Sequence, residues 1–186
     1  TVSGSDILFR CGLANETESN NVLYNFRLDS GVVYFIHEYG PGNNEDHAFS
    51  ETVSSGESVH LAIVRDDSEK TFRLYINGEF KESHTYTNSA TGGSVGIFTS
   101  GGNHEGVSLF DGKLWGAHVY NATKTDAEIA AIFAGDLDTE NAVEIWPISE
   151  ETGIKSHGII NGYDLNWLSD PTWNFAANDS YFHGET

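Results

Sequence analysis

The stretch that most limits what this 186-residue chain can fold into is Leu61–Ser83, LAIVRDDSEKTFRLYINGEFKES, which reads as two β-hairpins back to back. Leu61 and Ile63 alternate against Ala62 and Val64, and Phe72, Leu74 and Ile76 against Arg73 and Tyr75. Each segment therefore offers one consistently apolar face, the period-2 signature of a strand half-buried on a core. Asp66–Lys70 makes the first reversal. Asn77-Gly78 makes the second, because both residues tolerate the positive φ of a tight type I′ turn, and it sends Glu79–Ser83 back antiparallel.

Further strand signals recur at Ile7–Cys11, Val22–Leu28, Val32–Glu38, Val59–Asp66, Thr71–Asn77, Val95–Thr99 and Leu114–Tyr120, each bounded by Gly, Asn, Asp or Ser clusters. Many short strands joined by polar turns specify an all-β fold, a two-sheet antiparallel sandwich. One short helix is expected near 125–134. Thr125 is its N-cap, Glu128 completes a capping box, Ile129, Ile132 and Phe133 form the buried stripe, and Gly135 is the stop. Trp115 and Trp146 alternate with apolar neighbours and are expected in the core. From Asn141 onward the texture changes, yet no Pro- or Gly-rich linker intervenes. The expected organisation is a sandwich over 1–140 and a C-terminal segment, 141–186, that packs on or completes the same domain.

Charge narrows the partners. With 28 acidic against 9 basic residues, a formal charge of -19, a nucleic-acid backbone or an anionic lipid surface is repelled, so no nucleic-acid partner is expected. No long apolar run is present, so no membrane insertion is expected either. Cys11 is the lone cysteine; it has no internal disulfide partner and, within ILFRCGL, reads as a buried inert thiol. The chain starts at Thr1 and contains no Met, and it reads as a piece excised or processed from a longer protein.

RDDSEKTFRLYINGEF, followed by GGSVGIFTSGG and then FDGKLWGAHVYNATKTDAEIAAIF, resembles the laminin G-like, concanavalin A-like lectin/glucanase superfamily. The likeness spans Leu61 to Phe133, and the hairpin Val22–Glu38 fits its upstream part. AVEIWPISEETG is similar to an opening strand of that family but here follows the helix, so the C-terminal part either supplies a strand in permuted order or begins a neighbouring module. The resemblance implies a jelly roll of two antiparallel sheets, with ligands bound on a concave face or at a loop rim, sometimes through calcium. It implies the fold more firmly than the ligand, since the fold hosts lectins, adhesion modules, glycosidases, lyases and structural spacers.

Catalytic signatures fail their structural tests. No E-x-D-x-x-E run is present to supply the paired carboxylates of a sandwich glucanase. Gly92-Gly93-Ser94-Val95-Gly96 matches a hydrolase elbow but leads into the strand-like VGIF, where a helix is required. His37-Glu38 and His104-Glu105 begin like zinc-protease motifs, but Pro41 and Ser108 stand where the second His is needed. No enzymatic activity is expected.

Two oxygen-rich stretches could hold calcium, which takes six to eight hard ligands, or could be solvated turns. The first is EYGPGNNED, with Glu38, Glu45 and Asp46 as its carboxylates; the second holds Asp136, Asp138 and Glu140. Sugar recognition needs an aromatic face beside amides and carboxylates that take hydroxyls. His37, Glu38, Tyr39, Asn43 and Asn44 carry that mixture, and Asn103, His104 and Glu105 in GGNHEG are expected to converge with them unless both loops are plain polar rims. The expected function is a non-catalytic, lectin-like module that binds glycans, with or without calcium, in an extracellular, cell-surface or virion protein. The alternatives are a structural decoration or assembly module packed against neighbouring protein chains and, third, a polysaccharide-cleaving enzyme.

Overall fold

The structure, a computed structural model, describes residues 5–12, 22–40, 43–89, 97–100, 112–148 and 155–167. In chain order the strands are β1 (Ser5–Gly12), β2 (Val22–Asp29), β3 (Val32–Gly40), β4 (Asn43–Thr52), β5 (Leu61–Asp66), β6 (Thr71–Ile76), β7 (Glu79–Thr85), β8 (Ile97–Ser100) and β9 (Ala117–Tyr120). Helix α1 (Asp126–Phe133) follows, and then β10 (Ala142–Trp146), β11 (Lys155–His157) and β12 (Asp164–Trp167). A seven-stranded sheet has the order β11-β12-β8-β1-β2-β3-β4. β5-β6-β7 and β10-β9 form two smaller sheets. Neighbouring strands run antiparallel except β12 and β8, which are parallel.

Both small sheets pack on one face of the large one. Leu28, Val33 and Phe35 of the large sheet meet Phe72, Leu74 and Tyr86, while Trp146 and Leu165 form a second cluster with Phe9 and Val119; Tyr24 touches both. Phe72 and Leu74 are completely buried, and each such side chain contributes about 2–3 kcal/mol of apolar burial. The molecule is therefore an all-β, two-layered antiparallel sandwich with one short helix. At the central hairpin Asn77 and Gly78 have φ of 53° and 78°, the two positive values of the type I′ turn.

The helix explains one departure from alternation. α1 lies across the outer side of β5–β6, with Ile129 packed on Val64 and Tyr75. Tyr75, on the strand face that reads as polar, is consequently buried, and its hydroxyl donates to Asp126 Oδ1 at 2.7 Å. The capping box forms as expected: Thr125 Oγ1 accepts from the Glu128 backbone N–H and the Glu128 carboxylate accepts from that of Thr125. Phe133 does not complete a buried stripe; it is 36% exposed and leans over Gly78. Trp115 also differs from expectation, being 43% exposed ahead of a strand that starts only at Ala117.

β10 is tied to the segment ahead of β12 by Glu144, a fully buried carboxylate. It accepts hydrogen bonds from the backbone N–H groups of Ile145, Ile160, Asn161 and Tyr163 at 2.7–3.1 Å. Burial pushes its pKa up, but the four donors outweigh that and hold it below the usual carboxylate range. Gly158 makes the approach possible, since a Cβ there would collide with the Glu144 carboxyl. Glu140, four residues earlier, is by contrast exposed, so the two carboxyl groups do not act as a pair.

Candidate functional site

The pleat divides the sequence-nominated residues of β3 and β4. Residues directly opposite in an antiparallel ladder share a face, and consecutive residues alternate. His37 pairs with Tyr24 and Glu45 on the core side, whereas Glu38 pairs with Asn44, and Ile36 with Asp46, on the solvent side. The three carboxylates expected to share a calcium ion, Glu38, Glu45 and Asp46, therefore do not share a face. Asn43–Asp46 open a ten-residue strand, and Glu45 faces away from Glu38 and Asp46.

His37 has no exposed surface and does not belong to a binding rim. Its ring packs edge-on against Phe72 at 4.9 Å and Tyr86 at 4.8 Å. Neither nitrogen makes a full hydrogen bond: Glu45 stands 3.9 Å away and the Asn88 backbone offers only a weak contact. Burial, helped by the charge of Arg65 and opposed by Glu45, lowers its pKa to about 4. Glu45 is itself a stitch, accepting from the backbone N–H of Thr87 at 2.8 Å and of Asn88 at 3.0 Å. Burial raises its pKa, and these two bonds with the neighbouring histidines bring it below the ordinary value. Glu82 fastens the same seam, accepting from the Ser50 backbone N–H and hydroxyl while its other oxygen meets His47.

The second calcium group has already found a cation. Asp138 accepts from Lys124 Nζ at 2.6 Å, the Glu140 carbonyl accepts from the same ammonium at 2.9 Å, and the Tyr120 ring lies 4.5 Å from it. Lys124 is buried, and Asp136 points to solvent apart from this group. Among the described residues no three His, Cys, Asp or Glu side chains converge on a point that would hold a metal. Asn103, His104 and Glu105 lie outside the described residues, as does the Gly92–Gly96 string.

What the strands do bring together is a face turned away from the core. Across the large sheet one row runs Ile7, Arg27, Tyr34, Ala48, and the next Arg10, Asn25, Ile36, Asp46, with Glu38 and Asn44 beyond. Exposure falls steadily across it: Asn44, Asp46 and Ala48 on β4 are open, β2 and β3 half-buried, and Ile7 and Arg10 on β1 buried. The Arg27 guanidinium lies over the Tyr34 ring at 4.9 Å. Arg27 Nε and Asn25 Oδ1 are shielded from solvent without a hydrogen-bond partner, each an omission that costs about 1–3 kcal/mol. Tyr39 is half-buried at the end of β3, and Asn43 is exposed opposite Gly40.

Asn25, Arg27 and Tyr34 are absent from the sequence-derived site, although a signal for them exists. In LYNFRLD, Asn25 and Arg27 alternate with the apolar Tyr24, Phe26 and Leu28, which puts both on the solvent face. Chemically the face offers a guanidinium, two amides, a phenol and two carboxylates over apolar Ile36, which suits recognition of a polyhydroxylated ligand.

A family model described as the concanavalin A-like lectin/glucanases superfamily matches residues 2–130. A comparison with curated proteins gave no match. Among solved structures, an S-layer domain-containing protein from Clostridium thermocellum is similar at 17% identity with a TM-score of 0.33, covering 72% of this chain and 64% of that one. The chain thus spans less than two thirds of that neighbour.

Proposed function

The chain belongs to the concanavalin A-like lectin/glucanase superfamily, and we propose that it is a non-catalytic carbohydrate-binding module of a larger extracellular, cell-surface or virion protein. The observation that carries this reading is the solvent face of β2–β4. There Asn25, Arg27, Tyr34, Glu38, Asn44 and Asp46 surround Ile36, and Asn25 Oδ1 and Arg27 Nε have no hydrogen-bond partner among the described residues. Amides and carboxylates take sugar hydroxyls, and apolar or aromatic surface covers the C–H side of the ring.

Binding is favoured over hydrolysis by the state of the carboxylates. Glu38 and Asp46 are diagonal neighbours, about 7–8 Å apart across the ladder, from which two carboxyl groups can reach the separation of a glycosidase pair. Asp46, however, is exposed on the edge strand β4, where a reacting bond is not sequestered from bulk water. The test is a glycan array probed with and without added calcium, together with a product assay on the glycans that bind. Retention of one sugar class without cleavage is the expected result. Uniform silence in both arms refutes the reading, and released product moves the assignment to a polysaccharide-cleaving enzyme.

A further inference from the structure

Taking that carbohydrate-binding reading as its premise, we infer that the β2–β4 face selects saccharides bearing a carboxylate, uronic-acid sugars, with Arg27 as the anchor of that group. The argument begins with an imbalance. The chain carries 28 acidic and 9 basic residues, so a guanidinium has ample opportunity to pair. Arg65 meets Asp67 at 2.7 Å and Arg73 meets Asp126 at 3.3 Å. Arg27 forms no ion pair among the described residues. Its cross-strand neighbours are Ile7 and Tyr34, and Asp29, two positions along the same strand face, meets Ser30 instead.

The Arg27 guanidinium lies over the Tyr34 ring, 4.9 Å from its centroid, and its planar fork matches a carboxylate in bidentate fashion. Its Nε, a buried donor without an acceptor, gains a partner when a ligand supplies an oxygen and the side chain turns toward it. Charge is graded across the same face. Arg27 lies on β2, while Glu38 and Asp46 lie on β3 and β4. A ligand with an acid group at one end and hydroxyls at the other is oriented by that gradient. Adjacent strands are about 4.8 Å apart and same-face residues about 6.8 Å apart along a strand, so Arg27, Asn25 and Asp46 outline roughly 7 by 10 Å, the footprint of one or two pyranose rings.

The experiment is calorimetric titration of the protein with tetragalacturonate and with the neutral β-1,4-galactotetraose, beside the full array. Wild type is expected to prefer the uronate when both are titrated at about 0.15 M sodium chloride, where screening over about 8 Å suppresses the long-range repulsion between a -19 chain and a polyanion and leaves the contact at Arg27. Arg27→Gln is expected to lose roughly tenfold or more for the uronate, and Arg27→Lys to lose less, since it keeps the charge without the fork. Amide chemical-shift mapping on wild type, which needs no variant, is expected to place the uronate on residues 25, 27, 34 and 36. Equal affinity for both tetramers, an unchanged Arg27→Gln titration, or shifts elsewhere on the molecule overturns the inference while leaving carbohydrate binding intact. Silence toward every glycan on the array overturns both.

Discussion

Replacing His37 by Phe should remove most of one segment of this protein's acid sensitivity. The ring is enclosed, touches Phe72 and Tyr86 edge-on, and has a folded-state pKa lowered from 6.5 to about 4, mainly by burial. Above pH 6.5 both folded and unfolded chains carry a neutral imidazole, and the native state suffers no penalty. As pH falls below 6.5 the unfolded chain takes up a proton that the folded chain refuses until about pH 4, so stability drains away across that window. At about 1.36 kcal/mol per pKa unit the loss totals about 3 kcal/mol, of which about 2–3 kcal/mol is spent between pH 7 and 4.5. Urea unfolding followed by near-UV circular dichroism at pH 7.5, 6, 5 and 4.5 reads this directly. With a slope of about 2 kcal/mol/M, the wild-type midpoint should fall by roughly 1 M more than that of His37→Phe over the range. At pH 7.5 the variant should be at least as stable, since two nitrogens without full hydrogen bonds are replaced by carbon. The carboxylates that titrate in the same range are common to both proteins and cancel in the comparison, except Glu45, whose pKa His37 helps to lower. Parallel midpoint-against-pH curves for the two proteins would refute the reasoning.

Lys124→Met should destabilise the fold by about 3–5 kcal/mol in chemical denaturation, because it leaves Asp138 partly buried without its cation; adding Asp138→Asn should recover part of that loss. Glu144→Gln should weaken hydrogen-exchange protection at Ile160, Asn161 and Tyr163, where the present carboxylate accepts three of its four bonds. Because the folded-state pKa of Glu144 is depressed, its contribution is complete above the unfolded carboxylate value and is lost as pH falls through the folded one, which the same exchange experiment on wild type in acid should show. Gly78→Ala should lower the melting temperature by several degrees, about 1–2 kcal/mol, since φ is 78° and the new Cβ would lie 3.0 Å from Phe133; an unchanged melt contradicts it.

Much of the layered plan is written in local residue chemistry. The Asn77-Gly78 turn, the alternating β5 and β6, and the Thr125–Glu128 box act over a few residues and can be read from them. β4 escapes such reading because NNEDHAFSET places Glu45, His47 and Phe49 on its inner face, with one apolar residue among three. Its strand state comes from backbone pairing with β3 and from the Glu45 and Glu82 stitches, neither of which is a property of the segment itself. The same holds for Asp138 and Glu140. An oxygen-rich loop announces that it wants a cation, but nothing in its spacing says that Lys124, on the far side of α1, will supply one. The face at Arg27 is intermediate: alternation reveals which side each residue takes, while its neighbours across the ladder depend on register.

β1 and β12 flank β8 in one sheet, the first antiparallel to it and the second parallel. The strand starting at Ser5 and the strand finishing at Trp167 therefore begin and end toward the same edge of the sandwich, about 10 Å apart laterally. Tension applied through those two points would peel the ladders open bond by bond from that edge, so the unit would yield as a zip rather than resist as a sheared clamp.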